Sequence, residues 1–119
     1  MLHHVTRFVV LFAGQAVGTS ELEHVDYGMG VAHGAFHATT AYSAIRSAVV
    51  SAAELLYDRE EKRVTIPRLA VATESGEVLL TGFVTIADFD DVEVDPEITV
   101  KLLDLSQWKR AIGGGLTLV

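Results

Sequence analysis

The chain has 119 residues, half of them apolar, with no cysteine and a formal net charge of −7 at pH 7. This length fits a single domain over residues 1–119, and the lack of cysteine excludes disulfides, thiol nucleophiles and iron–sulfur ligation. The acidic balance argues against binding to nucleic acid or to an anionic membrane, because both attract positive charge.

The apolar content is high for a small domain, so we expect a second subunit to cover part of it in a homo-oligomer, most simply a homodimer. The apolar run near the N-terminus, Phe8 to Phe12, is too short to span a bilayer and has no signal-peptide layout. We therefore expect a cytoplasmic protein, and no pattern in the chain indicates a cofactor.

The N-terminal third predicts two strands followed by a loop. Val5–Phe12 is rich in β-branched and aromatic residues, and Ala16–His24 can pair back on it after a turn. Residues 25–38 contain three glycines within seven positions, a spacing that favours the special backbone angles of a loop.

The clearest helix pattern covers Ala41–Tyr57, and Thr39 or Thr40 can cap its N-terminus. Apolar residues recur at three- and four-residue spacing, so this helix has one face that we expect to pack on a sheet. That face comprises Tyr42, Ile45, Val49, Ala52, Ala53 and Leu56. The charged residues Asp58–Arg63 are typical of a solvated turn.

The C-terminal half predicts three strands and a short helix. The strands are Arg63–Thr73, with Pro67 at an edge or bulge, Val78–Phe89, with a kink at Gly82, and Ile98–Leu105. Glu74–Glu77 reads as a hairpin turn. The helix is Gln107–Ile112, capped by Ser106 and ended by the glycines that follow it.

This order of elements predicts an α+β fold. The connections are short, so neighbouring strands should pair antiparallel, and the helix needs a sheet face to cover. We predict one long helix packed on a curved, mostly antiparallel sheet, in the order ββαβββ plus a short C-terminal helix.

The Gly/His-rich segment 24–42 is the candidate functional site. It holds three of the five histidines just before the predicted helix N-terminus, where backbone donors are free. The candidate ligand-binding residues are His24, Asp26, His33, Gly34 and His37. His33 is also the candidate catalytic residue, because an imidazole near a helix N-terminus suits proton transfer.

Two other interpretations of this segment have less support. His33 and His37 have the spacing of a metal-binding pair, with His24 or Asp26 as a third ligand, but Gly34 breaks the helical pattern, and we predict no metal site. The glycines of residues 28–34 miss the dinucleotide-binding pattern by one position, and no phosphate-binding lysine follows them.

The segment Val31-Ala32-His33-Gly34, with the helix expected after it, resembles the hot-dog fold of acyl-CoA thioesterases and dehydratases. In that family a histidine-glycine loop precedes a long central helix wrapped by antiparallel strands. The resemblance implies a thioester substrate whose carbonyl lies near His33 and backbone N–H groups of Gly34 and Ala35. The family's second glycine is Ala35 here, and the acid expected early on the helix is absent, so the resemblance bears on architecture more than on activity.

The run from Asp88 to Glu97 carries carboxylates at six of its ten positions. We interpret it as a solvated acidic loop or a guarded edge strand, with a weak cation site or a surface for a basic partner as the alternatives.

Three functions are therefore open. The first is a homo-oligomeric domain that binds a small ligand or a partner around residues 24–42. The second is a hot-dog-like enzyme acting on an acyl thioester through His33. The third is a structural or regulatory subunit with no small-molecule site.

Overall fold

A computed structural model describes residues 6–51, 68–88 and 95–113 of the chain. The strands in these ranges are β1 Phe8–Phe12, β2 Gln15–Ser20, β3 His24–Asp26, β4 Val31–Ala35, β5 His37–Ala38, β6 Leu69–Thr73, β7 Val78–Leu79, β8 Thr81–Ala87 and β9 Glu97–Leu102. A 3₁₀ turn spans Thr40–Ala44, helix α1 begins at Arg46 and is described to residue 51, and helix α2 spans Leu105–Gly113.

The strands form two antiparallel sheets. Sheet A has the order β5-β2-β1-β6-β7, and sheet B has the order β3-β4-β9-β8. The fold is therefore mostly strand with few helices, which agrees with the α+β class in its coarse form. The expected single sheet in the order ββαβββ is not what the described residues show, because five strands precede α1 and the strands divide between two sheets.

Residues 25–38 were expected to form a loop, and this prediction is wrong. β3 and β4 pair as a hairpin whose turn carries Gly28 and Gly30, and Gly30 has a φ of 68°. Gly34 instead lies inside β4. Glycine occurs in tight turns and at close-packed strand positions as readily as in loops. The spacing of the three glycines therefore could not distinguish a loop from a hairpin.

The start of the long helix also differs from the prediction. The 3₁₀ turn occupies the first expected residues, and Thr39 makes no side-chain cap because its hydroxyl donates to the Ala16 carbonyl instead, at 3.0 Å. Ile45 and Val49 are buried, as the helical pattern predicted. The remaining expected helix to Tyr57 lies outside the described residues.

The C-terminal elements follow the predictions closely where they are described. The single expected strand over residues 78–89 divides at Leu80, since β7 joins sheet A and β8 joins sheet B. A register shift between Thr81 and Val84 supports the predicted kink at Gly82. The cap of α2 is Asp104, whose carboxylate accepts from the Gln107 N–H at 3.1 Å, and not Ser106.

Trp108 of α2 closes the core between the two sheets. Its side chain is fully buried, and its ring lies 5.6 Å from that of Phe8 in β1. The indole N–H donates to the Leu80 carbonyl at 2.8 Å. This hydrogen bond satisfies the only polar atom of the buried Trp108 side chain. No helix within the described residues is long and apolar enough to cross a membrane.

A polar cluster around the buried Asp88 joins the end of sheet B to the start of α1. The Tyr42 hydroxyl donates to Asp88 at 2.7 Å, and the Arg46 guanidinium lies 3.5 Å from the same carboxylate oxygen. Asp88 is only 5% exposed, so the first acid of the run 88–97 is internal rather than solvated. Burial, together with the hydrogen bond and charge of Asp88, raises the pKa of Tyr42 well above its ordinary value.

We predict that Tyr42→Phe lowers the free energy of unfolding by about 1–3 kcal/mol at neutral pH, because it leaves the buried carboxylate short of a donor. Folding raises the pKa of Tyr42 above its ordinary value of 10.0. The contribution of Tyr42 to the free energy of unfolding is therefore complete below pH 10.0 and is lost as the pH rises above this value. Urea denaturation from about pH 8 to about pH 11 should therefore show the wild type losing more stability than the variant. A difference between the two proteins that stays constant over this range would contradict the assignment.

Candidate functional site

The chain crosses from sheet A to sheet B between Ser20 and His24. The Ser20 hydroxyl accepts from the Leu22 N–H at 3.0 Å and forms a tight turn. Leu22 has a φ of 45°, a left-handed conformation that is unfavourable for a side chain of this size. Its side chain is buried in the core, and this burial offsets the backbone strain.

Gly34 allows the crossing segment to lie directly against β4. A Cβ atom at this position would come within 2.9 Å of both the Glu23 nitrogen and the Leu22 Cα atom. The Glu23 carboxylate then accepts from the Ala35 N–H at 3.2 Å. Close backbone approach and this hydrogen bond fix where β3 begins.

The fixed start of β3 places His24 directly opposite His33 of β4. The two imidazole rings stack with their centroids 4.8 Å apart and their planes inclined by 23°. The His33 Nδ1 atom is buried without a hydrogen-bond partner, and it lies 3.7 Å from a carboxylate oxygen of Glu97 in β9. The His33 side chain as a whole is 43% exposed, so the rest of the ring is open to solvent.

An open depression of about 480 Å³ lies beside the stacked histidines at the β3 edge of sheet B. Its lining consists of Glu23, His24, Val25, Asp26, Met29, Val31 and His33. The Asp26 carboxylate accepts from the Met29 N–H at 3.0 Å and shapes the turn beside it. The Lys101 ammonium donates to the Met29 carbonyl at 2.8 Å and supports that turn from β9.

Three of the five predicted site residues come together here. His24, Asp26 and His33 line the depression, whereas Gly34 is buried beneath the crossing segment and acts by packing. His37 lies apart from them on β5 of sheet A. The described residues include no group of three or more metal-ligating side chains arranged to hold an ion.

Three further residues were not singled out for the site from the sequence. Glu97 was placed only in the acidic run, and neither Glu23 nor Met29 was among the candidate ligand-binding residues. Glu97 reaches His33 because β9 pairs with β4 across more than sixty positions of chain, and no local spacing signals such a pairing.

The structure does not arrange His33, Gly34 and Ala35 as the resemblance to the hot-dog fold implies for an acyl-transfer site. His33 lies within a strand and not at a helix N-terminus, and the Ala35 N–H donates to Glu23. Gly34 lies opposite Ile98, and the neighbouring bond from the Phe36 N–H to the Pro96 carbonyl shows that even-numbered N–H groups of β4 face β9. Both backbone donors that would hold a carbonyl oxygen are therefore engaged.

No protein-family model matches the chain, and searches of curated proteins and of solved structures find no significant match.

We predict that Gly34→Ala lowers the free energy of unfolding by about 1–3 kcal/mol or more, because the added methyl group meets backbone atoms that cannot rotate away. Gly28→Ala is the matched control in the same hairpin, since its new Cβ would meet only an Asp26 side-chain oxygen, at 3.3 Å. Chemical denaturation of both variants gives the comparison. Equal losses in the two variants would show that the crossing does not depend on Gly34.

Proposed function

We propose that the protein is a small-molecule-binding domain whose site is the depression beside His24 and His33. The ligand is an organic cation, an ammonium or guanidinium group on a short apolar stem. The observation that carries this proposal is the lining itself, which combines two carboxylates and two stacked imidazoles with apolar side chains and contains no lysine or arginine.

The carboxylates support a cationic ligand because they have acceptor capacity to spare. Glu23 and Asp26 each accept one backbone N–H, and an ionised carboxylate can accept about four hydrogen bonds. Among the described residues, neither forms a salt bridge with lysine, arginine or histidine. An ammonium group could therefore form charge-assisted hydrogen bonds here without displacing an internal ion pair.

The apolar part of the lining supports a stem of a few methylene groups. Val31 lies on the same face of the hairpin as His24 and His33, and the Met29 side chain projects from the turn into solvent. Methionine is flexible and adapts to irregular ligand shapes. The rings of His24 and His33 add flat surface that an alkyl chain can contact.

The other functions have less support from this geometry. A thioester-hydrolysing enzyme would need oxyanion donors other than the N–H groups of Gly34 and Ala35. A subunit without any site is the outcome that a failed binding experiment would favour. The expected cytoplasmic location stays a prediction.

A matched set of three ligands tests the proposal. Pentylammonium, pentanoate and 1-pentanol each contain five carbon atoms and differ in the charge of the head group. In ¹⁵N–¹H NMR titrations we expect only pentylammonium to shift the amide signals of Glu23, Asp26 and Met29. Equal shifts with 1-pentanol would show an apolar site without charge selection, and binding of pentanoate alone would refute the proposal.

A pair of charge-neutralising variants then locates the site. Asp26→Asn keeps the side-chain shape but removes one carboxylate, and we expect it to weaken pentylammonium binding about tenfold, the effect of losing one charge-assisted hydrogen bond. Glu21→Gln makes the same change of charge at an exposed residue outside the lining. Similar losses in both variants would indicate a general effect of net charge and not a site at Asp26.

A further inference from the structure

The outer face of sheet B carries several titratable side chains around His33. Residues that lie opposite one another on neighbouring strands point to the same face, and the buried residues Ile98 and Val100 of β9 identify the other face as the core side. The outer face carries His24 and Asp26 of β3, His33 of β4, and Glu97, Thr99 and Lys101 of β9. His33 therefore lies between a strand that carries a second histidine and a strand that carries Glu97.

These neighbours decide what a proton on the His33 ring would contact. On the β9 side, a Glu97 carboxylate oxygen lies 3.7 Å from His33 Nδ1, which is buried and has no hydrogen-bond partner. Thr99, directly opposite His33, is uncharged, and the Lys101 ammonium donates to a backbone carbonyl in the β3–β4 turn. On the β3 side, the His24 ring stacks on that of His33.

The contacts of the histidine pair suit one proton better than two. A protonated imidazole carries N–H groups on both ring nitrogens, so His33 Nδ1 could donate to Glu97 after a small side-chain movement. Within the described residues His24 has no ion pair, and a second proton on it would place two positive charges on rings whose centroids are 4.8 Å apart. The geometry therefore favours one proton per pair, carried by His33 and balanced by Glu97.

We propose that uptake of this proton makes the depression release its cationic ligand in mildly acidic solution. Because the switch acts on the same site and the same class of ligand, it rests on the function proposed above. Both histidines line the depression, whereas Glu97 does not. The proton therefore adds a positive charge to the wall that the ligand contacts, and the carboxylate that balances this charge lies outside the lining.

The residue types of the lining define the pH window of the switch. Imidazole groups ordinarily titrate between about pH 5 and pH 8, whereas carboxyl groups ordinarily titrate near pH 4. An alkylammonium, like the lysine side chain, stays charged below about pH 9. Histidine is thus the residue type in this lining that changes its charge between about pH 7.5 and pH 5.5.

The direction of the effect follows from the charges. With neutral imidazoles the ligand meets two carboxylates, Glu23 and Asp26, and no positive side chain of the lining. With one imidazolium it meets a like charge within a few ångströms. Near a protein surface such a contact weakens the binding of a cation about tenfold.

Titrations with pentylammonium at about pH 7.5 and about pH 5.5, followed by ¹⁵N–¹H NMR at one ionic strength, test the switch. For the wild type we expect the Kd to be about tenfold higher at the lower pH. The double variant His24→Gln/His33→Gln keeps polar side chains that do not titrate, so the ratio of its two Kd values should fall to about two or less, the residual effect of net charge. His37→Gln removes an exposed imidazole on sheet A and should keep the wild-type ratio.

Glu97→Gln tests the same switch with both histidines in place, and it serves if the double variant does not fold. We expect a ratio of the two Kd values clearly below that of the wild type, because the proton on His33 loses its balancing charge. A wild-type ratio near one, a folded double variant that keeps the wild-type ratio, or a Glu97→Gln variant that keeps it would overturn the switch and leave the proposed function standing. Absence of pentylammonium binding at about pH 7.5 would refute the proposed function and the switch together.

Discussion

The site depends on the close approach of the crossing segment to Gly34. The backbone of Leu22 and Glu23 occupies the space that a side chain at position 34 would fill. This contact sets the start of β3, and β3 in turn sets which residue faces His33. A different start by one residue would turn His24 to the other face of the sheet, because side chains alternate along a strand, and the stacked pair would be lost.

A second contact, between the end of sheet B and helix α1, is polar. Tyr42, Arg46 and Asp88 join the end of β8 to the beginning of α1 through a buried carboxylate. Such a group is costly to remove from water unless it is hydrogen-bonded and paired, so we infer that it contributes more to the placement of α1 than to net stability. The steric contact at Gly34 and the polar contact at Asp88 together hold the two sheets and the helix in register.

Elements with a strong local pattern could be predicted from the sequence. β1, the turn at residues 74–77 and α2 follow from apolar periodicity, turn residues and a short helical segment. The two-sheet arrangement could not, because β7 and β8 form one continuous apolar run and divide only through tertiary contacts. Likewise His33 and His37 share a helical spacing yet lie in different sheets, whereas His24 and His33, nine positions apart, meet through strand register.

We infer that strand register brings His24 and His33 together as one wall of a binding site. A ¹³C-edited NOESY spectrum with pentylammonium present tests it directly. We expect cross-peaks between the ring protons of the two histidines, whose centroids lie 4.8 Å apart, and from the ligand methylene protons to both rings. Ring protons of His24 and His33 that show no cross-peak to each other in the folded protein would contradict this pairing of the two side chains.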